Sequence, residues 1–522
     1  MKWISLAFAL LVLNSALSFH NVWPTPWITL WPEISVEAFV LILVLGVYRA
    51  FAGSVSRSAL AALTTVLVFL TFGRYLEVTA PALYGRAINL YWDARYVPDV
   101  AAMLADALSP IAVAGIVVGA LALLAGIGIL LYWAVGRVAA ALGNARSSGY
   151  LTPAAACVVV TYLLGYYQVL PTLRAFSIPV SQTYARQLGF VVDAIGGRAL
   201  AALPASSPLD GARVEPLGGR DVIVTFVESY GATAFDEPGV AATTAASRED
   251  MGRAVEETGR HVVSAFVEST TFGGGSWLAH ISLMTGIRVD ENSTYNALLT
   301  QNRTTLPKLF RRAGYRAVAV MPGLKNQWPE GSFYGFDEIY GEAALDYRGP
   351  EFGWWRIPDQ FTLARLRTLE LDLASRPPVF VFFPTISTHA PFRPTPPYQS
   401  DWQKLLGAEP FPADALAQAS DEPQGFAEFR AAYADALVYT YRYWAGYLRN
   451  HVDDEAVYVI LGDHQPPATV SGQGVRWDVP VHVVTRDAAL ADRLRAHGFR
   501  SGMTPEPAPI GVIDELGPML IR

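Results

Sequence analysis

The placement of its apolar residues does most to limit what this chain can fold into. Nearly all of the apolar excess falls before residue 172, in segments close to the length that crosses a bilayer. A span needs about 20 mostly apolar residues. Segments at 3–19, 35–53, 59–73, 108–136 and 150–170 fit that description, the third being short. Lipid offers no partner to backbone N–H and C=O groups, so each must be a helix. With 52% hydrophobic and 16% charged residues over 522 positions, the chain is too apolar for an ordinary soluble protein and long enough for more than one domain. The first segment, "WISLAFALLVLNSALSF" after Lys2, also has the composition of a signal peptide. Four further spans follow it, so the chain is anchored on either reading.

Basic residues in the short loops set the expected orientation. Lys2, Arg49 and Arg57, and Arg137 and Arg146 fall on one side, with no acidic residue in loops 54–58 or 137–149. Loop 20–34 opposite has no Lys or Arg, and in loop 74–107 Arg74, Arg86 and Arg95 are offset by Glu77, Asp93 and Asp99. The first side is therefore expected to be cytoplasmic. Five spans then place everything after residue 171 outside a cell (inner) membrane, in an extracytoplasmic or periplasmic space. No interior charge is seen in the spans so drawn, which disfavours a transporter. The single cysteine, Cys157, lies in the fifth span, so the exported part must be held by its own core rather than by disulfides. A net charge of −7 gives no footprint for nucleic acid.

Three regions are expected: a transmembrane domain over 1–171, membrane-surface helices or linker over 172–220, and an extracytoplasmic domain over 221–522. In the last, short apolar runs at 221–229, 316–322, 378–387, 456–463 and 480–485 alternate with helical patterns near 277–285, 304–313, 359–376 and 424–451. Continuous apolar strands between helices predict an α/β fold, with a mostly parallel sheet covered by helices on both faces. Ligands of such sheets bind beyond the carboxyl ends of the strands. Three of the expected strands end in ionisable groups: Glu228, Thr388 with His389, and Asp463 with His464.

A carboxylate and a neutral imidazole side by side suit Zn²⁺ or Mn²⁺ better than Ca²⁺, although an Asp-His pair also caps helices. Glu228 is equally a cap for the helix that follows it, but an apolar strand rarely ends in an unpartnered carboxylate. "STTFGGGSWLAHISLMTG" (269–286) puts three glycines before Ser276 and a helical pattern after it. Such a loop lets the backbone approach phosphate closely, and Ser276 is placed as a nucleophile or as an ordinary N-cap. His280 lies one turn later on the same helix face, to assist a leaving group or to pack.

These motifs resemble the alkaline phosphatase/sulfatase superfamily. Within it the chain is similar to the lipoteichoic acid synthase branch of phosphoglycerol and phosphoethanolamine transferases, which pair five spans with an extracellular α/β domain. "VIVTFVESYG" matches the first strand and places a metal ligand at Glu228; "LGDH" matches the late metal motif and places ligands at Asp463 and His464. The sulfatase frame puts Thr-Gly nine and ten residues after the nucleophile, where Thr285 and Gly286 stand after Ser276. Leu278 and His280 replace the family's Pro and Arg, so conversion of Ser276 to a sulfatase aldehyde is not expected. The synthase branch uses Thr as nucleophile; Thr271 is the alternative here. "STHAPF" (387–392) resembles the segment whose histidine, here His389, contacts the substrate phosphate. "FGWWRIPDQF" (352–361) resembles the substrate-binding segment, implying Arg356 and Trp355, and Lys325, after the strand "RAVAVMP", is a candidate for a further phosphate contact.

The resemblance implies a membrane-anchored, metal-dependent transferase holding one divalent ion, Mn or Zn before Mg, at Glu228, Ser276, Asp463 and His464. It would move a phospholipid head group through a seryl intermediate to an envelope glycan or lipid. Water as acceptor would make it a sulfatase-like hydrolase instead. The lack of exported cysteines favours the phosphoglycerol branch. The oligomeric state is not legible in the sequence.

Overall fold

The computed structural model describes residues 2–214, 217–326, 328–419 and 428–521. Two compact units form, Met1–Leu83 with Ala87–Val192, and Tyr84–Arg86 with Asp193–Arg522. The first contains helices α1 (Lys2–Ser18), α2 (Val36–Ala52), α3 (Arg57–Tyr84), α4 (Val97–Ala107), α5 (Pro110–Leu142) and α6 (Ala145–Tyr166). Helix α7 (Val180–Gly196) carries the chain onward into the second unit.

Each expected span falls on a helix, but only α3, α5 and α6 among the described residues are both long and apolar enough to cross a membrane. Helices α1 and α2 have 17 residues each. At 1.5 Å per residue that is about 25 Å, short of the roughly 30 Å hydrocarbon core. Three membrane-crossing helices, rather than five, therefore meet the criterion. Helix α3 also continues past residue 73 to Tyr84 and carries Arg74 and Glu77. Arg74 is buried, its Nε donates to the Phe19 carbonyl at 2.9 Å, and its NH1 lies 3.7 Å from Glu77. A charged pair thus does lie within a span-length helix, contrary to the expectation drawn from segment 59–73.

The second unit is built on a nine-stranded sheet of β1 (Val222–Val227), β2 (His261–Glu268), β3 (Arg316–Val320), β4 (Glu338–Tyr340), β5 (Val379–Pro384), β6 (Val457–Gly462), β7 (Asp478–Thr485), β8 (Arg500–Ser501) and β9 (Pro509–Val512). Its order is β8-β2-β7-β6-β1-β5-β3-β4, with β9 on β2. The block β4-β3-β5-β1-β6 is parallel throughout. Strand β7 then runs antiparallel to β6, and β2 antiparallel to β7. The expected mostly parallel sheet is therefore mixed: the last expected strand, 480–485, returns against its neighbour instead of crossing over.

Successive side chains of a strand point to opposite faces, and a sheet covered on both sides needs both sets apolar. Along β1, Ile223 and Val227 enter one core while Val222, Val224 and Phe226 enter the other. The first face is covered by α8 (Pro238–Glu257), through Met251 and Ala254, by α11 (Asp359–Leu366), through Phe361 and Leu363, and by α12 (Phe429–Asn450), through Tyr443 and Trp444. The second is covered by α9 (Ser276–Thr285), α10 (Leu306–Arg312) and α13 (Ile513–Ile521), through Leu278, Leu309 and Leu516. The helical pattern expected over 359–376 leaves the α form at Leu366 and continues as a π turn over Arg367–Leu371. Of the helix expected over 424–451, residues 424–427 lie outside the described residues.

Strand β2 escaped the sequence reading because His261 and Ser264 interrupt its apolar run. Ser264 is nonetheless fully buried. Its Oγ donates to the Gly502 carbonyl and accepts from His482 Nδ1, each at 2.6 Å. His482 Nε2 in turn pairs with the Tyr230 hydroxyl at 2.9 Å, and Tyr230 with Tyr441 at 2.7 Å. Burial first, then the Arg248 charge, pushes the His482 pKa down to about 3. The unfolded chain takes up this proton near pH 6.5, whereas the fold refuses it until about pH 3. Stability is thus complete above pH 6.5 and falls with acidification, at most by about 1.4 kcal/mol per pH unit for this group. Thermal melts at pH 7 and pH 5 should differ less for His482→Gln than for the parent chain.

Candidate active site

The site begins with register. In the parallel pair β1/β6, Val227 lies opposite Gly462, so Glu228 and Asp463 leave the sheet side by side at its carboxyl edge. Gly462 is required there, because a Cβ at this position would strike the Tyr230 carbonyl oxygen. From β2, which β7 separates from β6, the loop through Gly273, Gly274 and Gly275 delivers α9 to the same edge. These glycines have φ of 64°, 138° and 82°, which L side chains rarely adopt. Ser276 is the first residue of α9.

The Ser276 hydroxyl lies 3.0 Å from Glu228 Oε2 and 3.2 Å from His464 Nε2. His464 Nε2 is 3.3 Å from Glu228 Oε1 and 3.7 Å from Asp463 Oδ2. Donor atoms bound tetrahedrally at about 2.0–2.2 Å from one centre sit roughly 3.3–3.6 Å apart, the range these distances straddle. One atom each from Glu228, Asp463 and His464 can be chosen so that all lie within 4.8 Å of one another. Two carboxylate oxygens, an imidazole nitrogen and a hydroxyl form a donor set that fits zinc or manganese.

The surrounding backbone aims these atoms. Asp463 Oδ1 accepts from Ser229 N at 2.8 Å and His464 N at 2.7 Å, which leaves Oδ2 toward the cluster. His464 Nδ1 donates to the Gln465 carbonyl at 2.7 Å, which turns Nε2 toward Ser276. Fixing the second ring nitrogen in this way selects the tautomer that ligation needs. The same carbonyl accepts from Gly273 N at 3.1 Å, tying the glycine loop to the histidine. Gln465 is itself locked, accepting from Thr233 and donating to the carbonyls of Arg476 and Asp478.

Electrostatically the cluster is crowded. Burial and then the Glu228 charge push Asp463 up to about 8. Burial alone would raise Glu228, but the adjacent His464 outweighs it and holds that carboxyl well below its usual range. Burial opposes the charge on His464, yet Asp463 and Glu228 lift it to about 9. Positive charge is what these groups lack.

The other expected residues are placed differently. Thr271 Oγ1 donates to the Gly274 carbonyl at 2.5 Å and so braces the loop, while Ser276 faces the cluster. His280 packs against Phe226 and Phe382, with ring centroids at 4.4 and 5.3 Å, and its buried Nε2 meets no hydrogen-bonding group. Burial pushes its pKa down to about 3, so it is a neutral packing imidazole. The His389 ring stands edge-on to Trp355 at 4.7 Å, with its Nδ1 donating to the Ala390 carbonyl at 2.6 Å. Trp355 Nε1 is buried without a partner. Arg356, at φ 55°, pairs with Glu342 at 3.3 Å and with Glu351. Lys325 is exposed beyond the end of β3.

One residue of consequence was not singled out from sequence. Asp359, fully buried at the start of α11, accepts from Ile386 N and Ser387 N, both at 2.9 Å. It joins the Trp355–Arg356 segment to the loop carrying His389. In the sequence "IPDQF" it reads only as a helix start.

Residues 269–481 match the family model described as Sulfatase. The matched stretch lies wholly within the second unit and is similar to sulfatase-family enzymes. The match takes in Ser276, His389, Asp463 and His464 and begins after Glu228. No curated protein sequence matches this chain. Among solved structures, the chain is similar to the lipoteichoic acid synthase LtaP of Listeria monocytogenes, with 13% identity, a TM-score of 0.35, and coverage of 56% of this chain and 71% of that one. It is similar to the Streptococcus pyogenes phosphoglycerol transferase GacH in complex with sn-glycerol-1-phosphate, with 13% identity, a TM-score of 0.36, and coverage of 56% and 74%. The C-terminal periplasmic domain of EptC from Escherichia coli gives 13% identity, a TM-score of 0.35, and coverage of 52% and 74%.

Burial raises the Asp359 pKa to about 6, although the two backbone N–H groups oppose the shift. Asp359→Asn keeps the shape but offers one carbonyl oxygen where two carboxylate oxygens now accept. A loss of about 1–3 kcal/mol is expected in a melt. Turnover should fall about 10- to 100-fold as His389 loses its position.

Proposed function

We propose that this sulfatase-like domain transfers a phospholipid-derived head group, phosphoglycerol or phosphoethanolamine, to a hydroxyl of an envelope glycan or lipid. The observation that carries this reading is the Ser276 hydroxyl, set at 3.0 Å from Glu228 and 3.2 Å from His464 on a glycine-rich helix entry. A divalent ion held by Glu228, Ser276, Asp463 and His464 would lower the pKa of that hydroxyl and neutralise phosphoryl charge.

The residues then divide the work. Ser276 Oγ points its proton at Glu228 Oε2 and attacks the phosphorus of the donor phosphodiester. The bond from phosphorus to the diacylglycerol oxygen breaks, and that oxygen leaves with a proton. The head group remains as a seryl phosphodiester. An acceptor hydroxyl attacks the same phosphorus, its proton departs, and Ser276 is regenerated. The unpartnered Trp355 Nε1 supplies an N–H donor, and the His389 ring beside it lies where the substrate's phosphoryl and hydroxyl oxygens would be. Arg356 would have to exchange Glu342 or Glu351 for a substrate anion to play its expected part.

Leu278 and His280, at the positions of the sulfatase Pro and Arg, speak for an unmodified serine. The apolar helices α3, α5 and α6 support membrane anchoring. We extend this to a multi-pass protein whose catalytic domain lies outside the inner membrane, close to its lipid donor, with α1 and α2 as shorter spans. The exposed Trp23, Trp27 and Trp31 in loop 20–34 suit a bilayer interface.

Purified chain incubated with labelled phosphatidylglycerol or phosphatidylethanolamine should release diacylglycerol and carry the head group on Ser276 by mass spectrometry. Ser276→Ala should lower that release by about 1,000-fold or more; release that persists in this variant would remove Ser276 from the nucleophile's role. Metal analysis should give one zinc or manganese per chain, and Glu228→Ala with Asp463→Ala should reduce it to background. Product formation that depends on water alone, with no added acceptor consumed, would turn the assignment to a hydrolase.

A further inference from the structure

Residues 292–329 contain Arg303, Lys308, Arg311, Arg312, Arg316 and Lys325 and no Asp or Glu, in a chain whose acids outnumber its bases 46 to 39. Four of these cations line one cleft of about 740 Å³, walled by α10, by Gly314 and Tyr315, and by Asp337. Gly314 and Tyr315 precede β3 and Asp337 precedes β4, and both strands run parallel to β1 and β6 through the parallel block. The cleft therefore lies at the amino edge of the sheet, opposite the edge that carries Ser276. A strand's length, on the order of 17–20 Å, separates the two edges.

The fold leaves most of this charge unneutralised. Asp337 Oδ1 meets Arg311 Nε at 2.8 Å and its Oδ2 accepts from Ala317 N at 2.9 Å, so it serves a single cation. Lys308 Nζ donates to the Arg303 carbonyl at 2.9 Å, and Arg303 NH1 to the Ala205 carbonyl at 3.0 Å. Asp210 feels the charges of Arg303 and Arg312, but its oxygens accept from Thr304 Oγ1 at 2.6 Å and Ser207 N at 2.9 Å. No ion pair is formed by Arg303, Lys308 or Arg312 among the described residues. Burial and then the Arg312 charge hold Lys308 below the usual lysine range. Tyr315, 6% exposed, contributes a buried wall to the cleft.

We infer that this cleft binds a phosphate-bearing anion through Arg303, Lys308 and Arg312. Guanidinium groups match phosphate oxygens in pairs, and an ammonium adds a point charge. The volume exceeds that of one phosphate and fits a phosphate carried on a larger group, within the usual range of ligand pockets. The source is either a soluble phosphate ester or a phospholipid head group.

Phosphorus NMR titration of the full chain in uncharged detergent, in a Ser276→Ala background that removes turnover, distinguishes these. The probes are inorganic phosphate, glycerol 3-phosphate and short-chain phosphatidylglycerol. The expected result is saturable binding that weakens at least tenfold in Arg303→Glu/Arg312→Glu and weakens with added salt, while a phosphate-free melt is unchanged. Equal affinity for phosphate and its ester with none for the lipid assigns a soluble ligand; tighter binding of the lipid assigns a head group. Binding of the same affinity and stoichiometry in the double variant overturns the inference, as does the absence of saturable binding in the parent. Arg312→Gln serves as the milder variant if the double one misfolds, with a drop in affinity again required. With Ser276 intact, Arg312→Gln should turn over substrate as the parent does, which separates this cleft from the transferase reading.

Discussion

Everything at the carboxyl edge of the sheet follows from the parallel register of β1 on β6. Setting Val227 opposite Gly462 forces Glu228 and Asp463 out together, beside His464, into buried surroundings. Two buried carboxylates this close repel each other and are poorly solvated, and a fold bears that only with compensating positive charge. Here His464 supplies part of it, and the donor geometry has the spacing to receive the rest from a divalent ion.

Much of the remaining sequence can be understood as holding those few atoms still. The Asp463 carboxylate and the His464 ring are each fixed by backbone groups on one side, so that their free atoms face Ser276. Gln465 ties the histidine to the glycine loop through its carbonyl, and its own side chain is pinned in turn. Asp359 does the same for the loop bearing His389. Precise placement of polar groups on rigid elements is what allows charge stabilisation without reorganisation during reaction. The two apolar cores, one on each face of the sheet, provide that rigidity.

Residues that look alike in sequence take different roles according to the side on which they are satisfied. His464 and His280 both belong to the catalytic edge, but one keeps a ring nitrogen toward Ser276 and the other lies against aromatic rings. Thr271 and Ser276 both flank the glycines, yet only the serine faces the cluster. The basic residues around α10 and the acidic ones around β1 sit at opposite edges of the same sheet, which gives the domain two chemically distinct ends.

The amino-acid sequence by itself determined where apolar helices form, the α/β character of residues 221–522, and the candidate cluster Glu228, Ser276, Asp463 and His464. Those features are local: span-length hydrophobicity, continuous apolar strands, and strand ends carrying charge. Strand direction, the buried polar chain through Ser264 and His482, and the clamp made by Asp359 were decided only by tertiary structure. A serine inside an apolar run, or an aspartate before a helix, looks the same in sequence whether it is solvated or buried. Its meaning depends on partners that stand 218 residues away for Ser264 and 27 and 28 for Asp359.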